Sequence, residues 1–523
     1  MNQFNNAPAL VRSLITYAIC VPLAMFIGYT LVNLTNTMDY QSFGIVGVLA
    51  AFLIFPLLMR WHYELLIFSW GAPISLFFLP GRPNLFTAMA VISLSISVVE
   101  RILSRDRHFI PAPSVKWSLL VMLAVIYITA KLTGGFGLRS FGSDVFGGKK
   151  YVNLIIGILS FFALTARTIP KEKAIFYVAL FCAGSFLNIF SDFYTLVPGP
   201  LHFIYLVLPG NPGTLDTLGN SNMDWTTSRL TGFSGTGYAM FTWMIFRYGV
   251  RGVFMAGKLW RPVVFTLSFV MVFLGGFRNN IIGCVEIFAA LFFMERMYRT
   301  RLLLPLVMAG IVASAVLVPL ASHLPVNFQR ALSFLPVNIS MEARLSADNS
   351  SEWRLAMWNA LLPQIPEHLL LGKGYSFSSE TYDEVMTKDN SFKVIDPAQQ
   401  GLALASDFHS GPISVILPFG IWGVLAWLWF WAAGFHVLWR NYRYGDPAIQ
   451  QLNRYLIATF VMGCIGFLFI YGDMVLGVPG FGGLIGLSLA LNHGICRPRP
   501  LERKVPVPAR PPLPFPARPA FSR

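Results

Sequence analysis

The sequence predicts an all-α polytopic membrane protein with about 14 (12 to 14) transmembrane helices and one large helical extramembrane loop. Three observations carry this reading. Over 523 residues the chain is 55% apolar and only 12% charged, with positive mean hydropathy, outside the range of soluble globular domains. Apolar runs of the roughly 20 residues that cross a hydrocarbon core recur from the N-terminus almost to the end, without the short alternating segments of a β-barrel. Lys and Arg fall mainly in every second loop.

The spans are expected at about 14–32, 43–59, 63–80, 85–102, 115–132, 151–167, 173–190, 233–250, 262–277, 281–298, 302–321, 412–438, 454–471 and 475–493. Leu14 to Val32 is too long for a signal-peptide core and lacks a small-residue cleavage pattern, so it reads as the first span. With the N-terminus inside, the inner loops, Arg12 and the tail hold 26 of the 39 Lys and Arg. Both termini are then cytoplasmic, and the net charge of +15 is accounted for by topology, with no nucleic acid called for. The five cysteines, Cys20, Cys182, Cys284, Cys464 and Cys496, show no CxxC pairing, and four lie in apolar runs as small hydrophobes.

The chain divides into an N-terminal transmembrane bundle (1–322), a large outer loop (323–411), C-terminal transmembrane helices (412–495) and a basic, proline-rich tail (496–523). The tail cannot bury a core and is expected to be extended, attracted to anionic headgroups. A second outer segment, 191–232, has a short apolar stretch between prolines that suits a re-entrant or surface-lying piece. The large loop holds ten acids against six Lys or Arg, so positive charge there is scarce and worth tracing.

Arg278, in "FLGGFRNNIIG", lies between two apolar runs on the side where topology disfavours cations. An arginine near hydrocarbon costs about 2 to 3 kcal/mol even on permissive scales. It either snorkels to lipid phosphate or binds an anion inside the bundle, and Gly275 with Gly276 allows close helix approach or an interrupted helix. Arg229 is the only Lys or Arg in its outer loop and stands at the mouth of the next span, as an anion ligand or a surface anchor. "NSSEWRLAMWNALLPQIPEHLLLGKG" reads as a helix capped by Asn349 with Glu352, its apolar stripe running through Trp353, Ala356, Met357, Ala360 and Leu361. Arg354 lies beside that stripe. The glycine turn around Lys373 has the form of a loop that approaches a phosphate. His409 follows Asp407, which is placed to orient it, and precedes Pro412, suited to a helix's first turn. There is no HExxH, paired Cys/His spacing, Walker loop, GxSxG or outer DxD, so neither a metal nor another cofactor is expected.

"RLAMWNALLPQIPEHLLLGKGY" followed by "DFHSGPISVILPFGIWGVLAW" resembles the O-antigen ligase and O-antigen polymerase superfamily. The resemblance rests on Arg354, Trp358, Pro366, the turn Leu371 to Gly374, His409, and Gly420 with Gly423. Arg229 and Arg278 resemble the family's outer-face arginines. Ser410 stands where the family usually has Asn, and Phe277 where Ser is common. The resemblance implies a metal-independent glycosyltransferase of the bacterial inner membrane, with the 323–411 loop in the periplasm. Its donor would be an undecaprenyl-diphosphate-linked glycan, and its acceptor a glycan, lipid A core or protein; membrane lipid and other polysaccharide-assembly proteins are the further partners. On this reading Arg229 and Arg278 hold the diphosphate, Arg354 completes the clamp or orients the sugar as a catalytic partner of His409, Lys373 and Asp407 support, and His409 is the base. An O-antigen or exopolysaccharide polymerase is favoured over a ligase, because the loop lacks a strongly basic patch for an anionic core. A lipid-linked glycan flippase is the rival from another class, and the single asymmetric loop without repeats argues against it.

Overall fold

The computed structural model describes residues 55–56, 58–79, 81–104, 108–137, 143, 145–194, 197, 201–210, 229–301, 303–378, 380 and 406–498. The expected span at 14–32, most of that at 43–59 and nearly all of the basic tail lie outside the described residues, as does much of the 191–232 segment and 381–405 of the large loop.

The described chain is mostly helical. After a helical stretch at 58–69 come α1 (Leu85–Leu103), α2 (Pro113–Leu132), α3 (Gly148–Leu164), α4 (Ala174–Phe186), α5 (Thr231–Phe254), α6 (Trp260–Phe273), α7 (Arg278–Met294) and α8 (Leu303–Leu320). Then follow α9 (Val326–Leu332), α10 (Met341–Leu361), α11 (Gly411–Tyr444), α12 (Gln450–Phe469) and α13 (Met474–Asn492). Seven of the described helices are long and apolar enough to cross a bilayer: α1, α2, α4 with its flanking turns, α8, α11, α12 with its leading turn, and α13. Helices α3, α5, α6 and α7 occupy four more of the expected spans but fall short in length or apolar content.

The core forms where α3 packs on α1 and α13, α2 on α11, and α5 on α6, burying Leu119, Leu154, Phe241, Phe430 and Ile485 completely. Helix α8 behaves differently: it buries no residue of its own, as an apolar helix does when lipid is its solvent. The chain ends of these helices alternate. The starts of α3, α5, α7, α11 and α13 meet the ends of α2 and α12 at one end of the bundle.

Two of the described helices are broken, and each break is satisfied from elsewhere. In α5 the backbone leaves helical geometry at Gly249, and the freed N–H groups of Val250 and Arg251 donate to the Glu295 carboxylate at 3.1 and 2.8 Å. In α11 the break falls at Gly420, whose φ of 60° is open to glycine at little cost. The turn Leu371 to Gly374 closes it: Lys373 N–H donates to Leu417 O at 2.8 Å, Gly374 N–H to Pro418 O at 2.9 Å, and Ile421 N–H to Leu369 O at 2.7 Å. A Cβ at Gly420 would stand 2.5 Å from Leu369 O. The glycine turn expected to approach a phosphate therefore spends its backbone groups on this joint.

The helix expected to begin at Asn349 begins at Met341. Ser340 caps it, its hydroxyl accepting from Ala343 N–H at 3.3 Å, while Gln329 Oε1 accepts from Ser340 N–H at 2.6 Å. Asn349 lies inside the helix because the preceding "MEARLSAD" is itself built of helix formers. The apolar stripe is as expected: Met357 and Leu361 are buried, and Trp353 and Ala356 partly so, against Phe408, Ile413 and Leu417. Burying a side chain of that size contributes about 2 kcal/mol, which fixes α10 over the start of α11.

Candidate functional site

A cavity of about 330 Å³ opens at the end of the bundle where the 323–411 segment folds over the helices. Four guanidiniums line it: Arg229, Arg278, Arg330 and Arg354. Arg229 immediately precedes α5, Arg330 lies in α9 and Arg354 in α10. Arg278 opens α7, after a turn holding Gly275 and Gly276 that separates it from α6, and a Cβ at Gly275 would stand 2.5 Å from Ser234 Cβ, so this glycine serves a close approach to α5. Arg278 Nη2 donates to Ala347 O at 2.9 Å and ties α7 to α10. Arg229 stacks over Phe277 at 5.3 Å, and Arg354 lies 5.8 Å from the Trp353 ring.

These cations repel one another. Burial, then the charges of Arg330, Arg354 and Arg278, push the Arg229 guanidinium below its ordinary value. Burial and then Arg278 do the same to Arg354, and burial lowers Arg330 although Glu342 acts in the opposite direction. Each guanidinium stays charged at neutral pH regardless, so the cavity concentrates positive charge that an anion would relieve.

His409 stands one ring away. Its imidazole lies edge-to-face between Trp353, at 5.1 Å, and Tyr471, at 5.3 Å, and Tyr471 is itself part of the cavity wall. Nδ1 faces Asp407, 3.3 Å from the carboxylate and 3.2 Å from the backbone carbonyl. The backbone φ of His409 is +50°, a left-handed conformation that costs a non-glycine residue about 1 to 2 kcal/mol and persists where surroundings enforce it. Ser410 then precedes α11, with Pro412 in the first turn as expected.

On the far side of His409 lies a group that the sequence reading did not single out. Lys150 Nζ, in the first turn of α3, donates to Ser406 O at 2.8 Å, pinning the turn that carries Asp407 and His409. Asp473 caps α13 through Val475 N–H at 2.8 Å; burial raises its carboxyl above the usual range, against the pull of Lys150. Burial and the nearby carboxylates push the Tyr471 phenol up to about 12. The strand pair β1 (Val145–Phe146) and β2 (Phe377–Ser378), antiparallel with Phe146 stacked on Phe377, joins this group to the glycine turn.

Of the six expected site residues, Arg229, Arg278 and Arg354 share the cavity, and His409 with Asp407 adjoins it. Lys373 does not line it. Its ammonium donates to Gln364 Oε1 at 3.1 Å, and burial lowers its affinity for a proton. Arg330, Lys150, Tyr471 and Asp473 are additions. Arg330 carried a signal, being one of few cations in an acidic loop; Asp473 was hidden by its suitability as an ordinary helix cap.

A bundle with several membrane-crossing helices, holding four arginines in one cavity at its end, defines a multi-pass membrane protein with a concentrated cationic site. Residues 263–428 match the family described as O-Antigen ligase, which places this segment in the O-antigen ligase/polymerase superfamily. The match runs from α6 into α11, so it includes Arg278, Arg330, Arg354, Lys373, Asp407 and His409 and leaves out Arg229, Lys150 and Asp473. No curated protein matches the chain.

Proposed function

We propose that this protein is an inner-membrane glycosyltransferase that transfers or polymerises undecaprenyl-diphosphate-linked oligosaccharide at the periplasmic face, with no need for a metal. The observation that carries this reading is the gathering of four guanidiniums beside a histidine whose Nδ1 is turned to a carboxylate. A sugar diphosphate leaves once its developing charge is neutralised, and forked guanidiniums do this bidentately. Arg229 and Arg278 hold the diphosphate, Arg354 completes the clamp, and Arg330 adds to the field. With the Nδ1 proton directed at Asp407, Nε2 is the basic nitrogen. The acceptor hydroxyl attacks the anomeric carbon, the bond from that carbon to the phosphate oxygen breaks, and the hydroxyl proton passes to Nε2. Lys150 holds the turn that carries the histidine.

Purified protein supplied with a polyprenyl-diphosphate-linked oligosaccharide and its acceptor tests the reading. His409→Ala, inserted and folded, is expected to lose about 10²-fold to 10⁴-fold in transfer rate; wild-type rates from that variant would remove His409 from the chemistry. The family description favours a second form of the same chemistry, ligation to lipid A core or protein. A gel of surface glycan from a deletion strain separates them: single repeats on core mean a lost polymerase, and undecaprenyl-linked chains never attached mean a lost ligase.

A further inference from the structure

At the opposite end of the bundle a cavity of about 500 Å³ lies between α1 and α2, over the last turns of α3. Helix α1 packs on α3 and α2 chiefly on α11, and the two barely touch each other, so a cleft runs between them. Its flanks are apolar and exposed, with Val98 and Val99 on α1 and Trp117 and Val121 on α2, so the cleft faces lipid.

The lining changes character with depth. Leu94, Phe161 and Phe162 form the inner wall, while Arg101, in the last turn of α1, and Lys116, in the first turn of α2, stand at the mouth. Leu94 lies seven residues, about 10 Å, below Arg101 along the helix. At this end Arg167 pairs with Glu100, and Lys171 with Asp446. Among the described residues Arg101 and Lys116 have no acidic partner; Arg101 rests on the Phe109 ring at 5.4 Å and Lys116 lies 5.5 Å from the Trp117 ring.

We infer that this cleft is a binding site for one anionic phospholipid, its phosphate held between Arg101 and Lys116 and an acyl chain laid against Leu94, Phe161 and Phe162. Charge complementarity selects the headgroup, since both cations stand at one helix end, at the depth of lipid phosphates. The apolar wall selects a lipid over a free phosphate. The bound lipid fills the gap between two helices that do not close on each other, and so belongs to the folded bundle.

Native mass spectrometry of the full chain, titrated with phosphatidylglycerol or phosphatidylcholine, tests this. The wild-type protein is expected to retain one phosphatidylglycerol in preference to phosphatidylcholine. Arg101→Gln with Lys116→Gln is expected to weaken that binding about thirtyfold, or about 2 kcal/mol, while Arg443→Gln, removing an exposed cation at the same end, leaves it unchanged. Leu94→Trp, which fills the cleft and keeps both cations, is expected to lower retention about tenfold and decides the matter if the double variant does not fold. Equal retention of the two lipids, full retention by the double variant, or displacement by inorganic phosphate at equal concentration would overturn the assignment.

Discussion

Arg167 and Lys171, at one end of the bundle, are answered by Glu100 and Asp446, and Glu295 there caps the broken α5. At the other end Arg229, Arg278, Arg330 and Arg354 crowd into one cavity, where burial lowers the proton affinity of Arg229, Arg330 and Arg354 and neighbouring arginines lower that of Arg229 and Arg354 further. The first arrangement neutralises charge as it places it, which serves the fold. The second gathers like charge in one place, at a cost that a bound anion offsets, which is how a functional site often differs from a structural one.

The largest expected effects break the second end. Arg278→Ala or Arg354→Ala should lower transfer by about 10²-fold to 10³-fold, the scale of losing one preorganised donor to a developing negative charge, measured as product per minute from purified enzyme. Arg167→Gln should leave the rate unchanged and cost under about 1 kcal/mol of stability, since its partly exposed pair is worth little; a large rate loss there would erase the contrast between the ends.

Lys150→Met sharpens the comparison, because Lys150 bonds to the Ser406 carbonyl and in the proposed mechanism holds the turn of His409 without touching the donor. It is expected to lower kcat about 10-fold to 100-fold with KM for the donor little changed, as small misplacement of a catalytic group does, and Lys150→Arg should recover part of the rate. Gly420→Ala is expected to destabilise by about 2 kcal/mol or more, combining a left-handed backbone with a Cβ pressed on Leu369 O, read as a lowered melting temperature.

The smallest effect concerns Asp473. Its carboxyl holds a proton more tightly in the buried site than in the unfolded chain. Its contribution to stability therefore falls as pH rises from the ordinary aspartate value through the raised one, and Asp473→Asn should remove that slope from the melting temperature.

Much of this contrast was legible before any coordinates. Hydropathy sets the spans because a bilayer demands a fixed length of apolar helix, and every expected span from residue 85 onward coincides with a helix to within a few residues. Arg278 stood out because its position opposed the charge pattern of its side. The start of α10 was misplaced because the helix formers ahead of Asn349 carry the helix back to Ser340, whose N–H is held by Gln329 from α9. The glycine turn was misread for a related reason: its partner is the break in α11, about 46 residues further on, and no local pattern shows that pairing. Lys150 and Ser406 lie 256 positions apart, so their contact belongs to packing alone.

Equilibrium binding of polyprenyl diphosphate to the purified protein, compared between Arg278→Ala and His409→Ala, tests the central claim most directly. A cavity that holds the diphosphate through its arginines while the histidine acts on the acceptor predicts a Kd raised about tenfold or more by Arg278→Ala, the loss of a charge-assisted bidentate contact, with His409→Ala binding as tightly as wild type. Unchanged binding by Arg278→Ala, or a comparable loss in His409→Ala, would contradict that division of roles.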